Sequence, residues 1–139
     1  MDGTIIFLFV AIIVVGVAFF AFITFVNRGG GNLDVEKFRV KWLTIEQSLL
    51  RDSEASYHLA VINADKLVDQ ALRECNVKGQ TMGDRMKFAK DRWSNRNALW
   101  TAHKLRNRIA HEPDVRVSYD EARYALAAFK QGLKDLGAI

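Results

Sequence analysis

From Ile5 to Val26 the chain runs 22 positions without a charged residue, most of them Ile, Val, Phe or Ala. As a helix that run reaches roughly 33 Å, enough to cross the hydrocarbon core of a bilayer. A cleaved signal peptide is the rival reading, but no Lys or Arg precedes the run and it exceeds the usual signal core. Residues 1–26 therefore read as a single uncleaved transmembrane anchor. The only charged side chain before it is Asp2, whereas Arg28, Lys37, Arg39 and Lys41 follow it. Basic residues flank the cytoplasmic end of a span, so the chain is expected at the inner membrane as a single-pass protein with its C-terminal part in the cytoplasm. The lone Cys75 suits a reducing compartment, allows no internal disulfide, and reads as a small buried hydrophobe.

Residues 27–32, Asn-Arg-Gly-Gly-Gly-Asn, read as a flexible linker of about 20 Å at full extension. Residues 33–139 then have the length of one domain. Their apolar positions recur at spacings of three and four, with no alternating pattern, so the body is expected to be all-α. Val35, Phe38, Trp42, Ile45 and Leu49 mark a first helix, and Asp52-Ser53 a cap for the next. Tyr57, Val61, Ala64, Val68, Ala71 and Cys75 mark the second. Val77 to Thr81 form a loop around Gly79, and a shorter helix carries Met82, Met86, Ala89 and Trp93. Ser94 or Asn95 caps a fourth helix with Ala98, Ala102, Leu105 and Ile109 inward; Pro113 stops it near His111. Ser118 and Glu121 form a capping box for the last, whose buried face holds Tyr119, Ala122, Leu126, Phe129, Leu133 and Leu136. The expected architecture is a five-helix up-and-down bundle preceded by one transmembrane helix.

Charge is concentrated. From Arg85 to Arg108 stand eight basic residues and one acid, a local charge of +7 in a chain whose net charge is +4. Arg85, Lys87, Arg92, Arg96, Lys104 and Arg108 read as an electrostatic footprint for a polyanion such as RNA. A solvated helix face, or contact with anionic lipid headgroups, explains the same charges.

This window leads into Arg106-Asn107-Arg108-Ile109-Ala110-His111. Arginine neutralises a phosphate at any physiological pH, and histidine exchanges a proton near neutrality. RNA supplies its own nucleophile, the 2′-hydroxyl. His111 is then a candidate for the proton transfer, Arg106 for stabilising charge on the phosphoryl oxygens, and Asn107 for holding the imidazole or the phosphate. The blander reading is a basic helix end that complements the helix dipole.

An all-helical domain closing on Arg-Asn-x-x-x-His resembles the HEPN superfamily over roughly residues 35–137. Arg106 matches its arginine, Asn107 its polar position and His111 its histidine. Ala64 to Asp69, with Gly79 to Arg85, is similar to small membrane-tethered helical proteins that carry the same element. The resemblance implies a metal-independent endoribonuclease that works as a homodimer, each protomer bringing its motif to one cleft. The anchor departs from the soluble toxins and defence nucleases typical of the superfamily.

Helix geometry sets a condition. Arg106 and His111 are five residues apart and diverge by about 140°. They converge only if the helix frays near Ala110 or if a second protomer supplies one of them. The second class of function is a non-catalytic dimeric module that recruits RNA or a protein partner to the membrane; a protein inhibitor also stays open. No cofactor is expected. No metal is expected either: His103 and His111 sit about 12 Å apart along their helix, and no Cys-His spacing suits zinc. His58, Asp65 and Asp69 read as solvated polar contacts, with Asp65 an alternative support for Arg106 or His111.

Overall fold

The computed structural model describes residues 2–27 and 33–139, and among these the regular structure is entirely helical. The chain divides into two units, an N-terminal helix and a helical body. The Gly-rich stretch read as a linker lies outside the described residues, as does Arg28, except that Asn27 is the last residue of the first helix.

That helix, α1, runs Gly3–Asn27. It is long and apolar enough to cross a membrane: within the 22 residues Gly3–Thr24 an 18-residue window has a mean hydropathy of 3.2, and none of that window is buried. Apolar side chains surround it on every side. Its one hydroxyl near the C-terminal end, Thr24 Oγ1, turns back to the carbonyls of Phe20 and Ala21 at 3.0 and 2.9 Å, so it asks nothing of its surroundings.

The body consists of α2 (Val35–Ser48), α3 (Glu54–Glu74), α4 (Met82–Phe88), a single 3₁₀ turn (Lys90–Arg92), α5 (Arg96–His111) and α6 (Tyr119–Asp135). Helices α3, α5 and α6 pack on one another, and α2 and α4 lie against α3. Phe38, Val61, Val68, Leu72, Met86, Phe129, Leu133 and Leu136 are sealed in the common core. The starts of the helices are set by side chains that occupy otherwise unpaired backbone N–H groups. Asp34, Ser53, Thr81, Asn95 and Ser118 each accept from the third backbone N–H beyond them. Of the two candidates before α5, Asn95 is the cap; Ser94 instead binds Asp135 through its N–H (2.9 Å) and hydroxyl (3.0 Å), tying the start of α5 to the end of α6. Cys75, expected to be buried, is half-buried at the C-cap of α3.

One helix ends earlier than its apolar rhythm suggests. The pattern Met82, Met86, Ala89, Trp93 predicts a continuous helix, but α4 stops at Phe88 and Trp93 lies beyond the 3₁₀ turn. The change of course lets the buried indole N–H of Trp93 reach the Met86 carbonyl at 2.9 Å. An unpaired indole N–H is costly in a core, and the turn satisfies this one.

Ser118 and Glu121 form the expected reciprocal box, Glu121 N–H to Ser118 Oγ at 3.1 Å and Ser118 N–H to Glu121 Oε2 at 2.8 Å. The Ser118 backbone N–H, and then its side chain, hold the Glu121 carboxyl below its ordinary pKa, against a smaller opposing effect of burial. A lowered carboxyl pKa stabilises the fold above the ordinary value, and the gain is lost as pH falls through the lowered one. Ser118→Ala is expected to cost about 1 kcal/mol through the lost cap acceptor and to keep most of this pH dependence, because alanine retains the backbone N–H that lowers Glu121 most, measured by thermal unfolding near neutrality and in acid.

Candidate functional site

Helix α5 sets an arc of polar side chains against α3. Asp65 stands inside the apolar stripe of α3, among Val61, Ala64 and Val68, and is 3% exposed. A carboxylate in such a place requires partners. His103, itself buried, brings Nδ1 to Asp65 Oδ1 at 2.7 Å. On the next turn Arg106 Nε lies 3.4 Å from Asp65 Oδ2. That contact is coulombic: Nε is buried and makes no aligned hydrogen bond. The Arg106 Nη1 donates to Asn107 Oδ1 at 3.0 Å, and Asn107 Nδ2 approaches His103 Nε2 at 3.4 Å. One proton arrangement fits every contact: Nδ1–H of His103 donates to Asp65, and Nε2 accepts from the Asn107 amide. The result is a closed ring, Asp65–His103–Asn107–Arg106, that fixes the guanidinium at the edge of the core with its side chain 28% exposed.

His111 is not in this ring. It is the last residue of α5, exposed, and without a hydrogen bond or ion pair among the described residues. The helix does not fray before it, since Glu112 N–H still bonds the Arg108 carbonyl at 2.9 Å. Local unwinding near Ala110, one of the two expected ways for Arg106 and His111 to meet, is thus not what the structure shows. Asp65, considered as support for either residue, contacts Arg106 and not His111.

The basic residues separate into three groups. Lys87, Arg96, Lys104 and Arg108 are exposed, with Arg108 in a loose 3.7 Å pair with Glu112 and Arg96 Nη2 on the Lys90 carbonyl at 3.3 Å. Arg92 is half-buried. Arg85 is a correction: read as part of the basic face, it is buried, with Nε and Nη2 on the two Asp69 oxygens at 2.7 and 3.1 Å and Nη1 on the Gly79 carbonyl at 2.7 Å. A guanidinium so engaged clamps the α3–α4 loop, and with its side chain only 8% exposed it is closed off from a phosphate. Gly79 is required there, at φ +148°, because a Cβ would stand 2.8 Å from the Arg85 nitrogen.

The other polar expectation also changes. His58 pairs loosely with Glu54 at 3.8 Å, while Asp65 faces the buried His103 ring and Asp69 the buried Arg85 guanidinium. A groove of about 430 Å³ lies between α5 and α6, lined by Ala98, Lys104, Leu105, Arg108, Tyr124 and Ala128. It does not include Arg106, Asn107 or His111. The dyad of Asp65 and His103 is what residue spacing alone missed. Its signal was present: a carboxylate at an apolar position of α3, and a histidine directly after Ala102 on the inward side of α5.

No protein-family model matches this chain, and no curated protein or solved structure matches it either.

Proposed function

We propose that this chain is a membrane-anchored, HEPN-like protein that cleaves RNA without a metal, using Arg106 and His111 across the cleft of a homodimer. In this reading α1 spans the inner membrane, and the five α-helices of the body form an up-and-down bundle in the cytoplasm. The observation that carries it is the placement of Arg106: a guanidinium held by Asp65 and Asn107, five residues before an unengaged His111, on a helix edged by Lys104 and Arg108. A cation already fixed in position loses little freedom when it meets a phosphoryl oxygen, and such pre-organised charge is the form of electrostatic catalysis that counts most. His111, on the solvent side, is free to exchange a proton with the 2′-hydroxyl or the leaving oxygen of RNA bound between two copies.

The test uses the full chain in detergent or nanodiscs, labelled RNA and excess EDTA. Wild-type protein is expected to cleave, and Arg106→Ala and His111→Ala each to slow cleavage by at least about 100-fold. Co-expressing the two variants should restore about a quarter of wild-type activity, because half the dimers then hold one intact composite cleft. Cleavage untouched by either substitution, or no recovery on mixing, defeats the reading.

A second reading has its own support: Arg106 and Asn107 are both engaged within the protomer. The exposed basic edge of α5 would then serve a non-catalytic module that recruits RNA or a protein to the membrane. Binding without cleavage, unchanged in His111→Ala, selects it.

A further inference from the structure

We propose that Trp100 is a stacking platform for one unpaired base of the RNA, an inference that rests on the reading of this chain as an RNA-acting protein. The other two tryptophans are accounted for by the fold, Trp42 being 3% and Trp93 8% exposed. Trp100 is only half-buried. It begins a line along α5 that continues through Lys104, Asn107 and His111, at four, seven and eleven residues on, one flank of the helix over about 16 Å. An aromatic ring, an ammonium group, a carboxamide and an imidazole thus follow one another along α5, with Lys104 at the lip of the groove that α5 forms with α6.

The indole is also held in place. Its Cη2 end lies over Gly83 of α4, where even a methyl group would come within 3.7 Å, and the His103 ring meets it edge-on at 5.9 Å and 77°. His103 is in turn fixed by Asp65. The same carboxylate therefore orders both the Arg106 guanidinium and the ring beside the platform. A rigid, partly solvated aromatic next to exposed cations is the combination that binds single-stranded nucleic acid: the cations track phosphates and the ring takes a base face of any sequence. A duplex, whose bases are stacked on each other, offers the ring nothing.

The experiment titrates the full chain in nanodiscs with 2′-O-methyl oligoadenylate of about twelve nucleotides, which lacks the nucleophile and stays intact. Binding is followed by anisotropy and by tryptophan emission, and a duplex of the same length is the comparison. The expected result is quenched emission with the single strand, since Trp42 and Trp93 are out of reach, and weaker binding of the duplex. Trp100→Leu should bind the single strand about 5- to 150-fold less tightly, and Trp100→Phe should recover most of the loss. Binding with unchanged emission, or equal affinity for duplex and single strand, overturns the platform and leaves the RNA reading standing. If neither oligomer binds, the RNA reading itself fails. Should Trp100→Leu unfold, the emission of the wild-type protein still decides.

Discussion

Asp65→Ala is expected to destabilise the body by about 3–5 kcal/mol, the combined cost of orphaning a buried N–H and of taking away the counter-charge of a partly exposed cation. The substitution leaves the His103 Nδ1–H without its acceptor and Arg106 without its nearby counter-charge. The larger share belongs to His103, which is 7% exposed, because water reaches the partly exposed Arg106 and softens its loss. Asp65→Asn separates the two contributions. It keeps an oxygen for His103 and discards the charge, so it should cost clearly less than alanine. Thermal unfolding of the full chain in detergent, followed by tryptophan emission, reads the difference. A loss of several kcal/mol from a domain of this size lowers its melting temperature by at least about 10 °C. Alanine and asparagine variants that melt together with the wild type would show that the ring contributes nothing.

Asp69→Ala should be nearly as costly, again about 3–5 kcal/mol, and its reciprocal should not. Removing Asp69 leaves the Arg85 guanidinium in the core with the Gly79 carbonyl as its remaining acceptor. Removing Arg85 instead, as Arg85→Met, fills the same space with an apolar chain. Asp69 then keeps the exposed Arg73 at 2.7 Å and water on its open side. The predicted asymmetry follows from burial: the cation is the more enclosed of the two, at 8% against 13% for its partner's side chain. The measurement is the same melting comparison, and equal losses from both variants would contradict the account. Neither substitution touches the exposed basic edge of α5, so the RNA binding proposed for that edge should be unchanged at a temperature where both remain folded.

Much of the architecture was legible from the chain alone, for identifiable reasons. In α2, α3, α5 and α6 the apolar positions recur every three or four residues, and short polar side chains stand where each helix begins. Ser53 and the Ser118–Glu121 pair could be read directly, because a cap is a local interaction that its own few residues determine. What escaped was set by contacts distant in sequence. Asp65 and His103 are 38 positions apart, and each looks ordinary until the other is placed beside it. Arg85 was counted with the basic face because a charge tally along the chain does not register which way a side chain points. Trp93 ends α4 early through a bond to a carbonyl that only a folded turn brings near. The motif residues were found, but their grouping was not: Arg106 and Asn107 belong with Asp65 and His103, and His111 stands alone in the protomer.

The uniformity of α1 bears on how copies of the chain could find one another. Between Gly3 and Thr24 no two of Gly, Ala, Ser or Thr fall four positions apart, so the helix lacks the small-residue pair of the close right-handed crossing. Read as a span, it would hold the molecule in a plane and leave it free to spin there, indifferent to which flank meets another copy. Two-dimensional confinement would raise the frequency of encounters, and the choice of mate and its orientation would fall wholly to the water-facing helices.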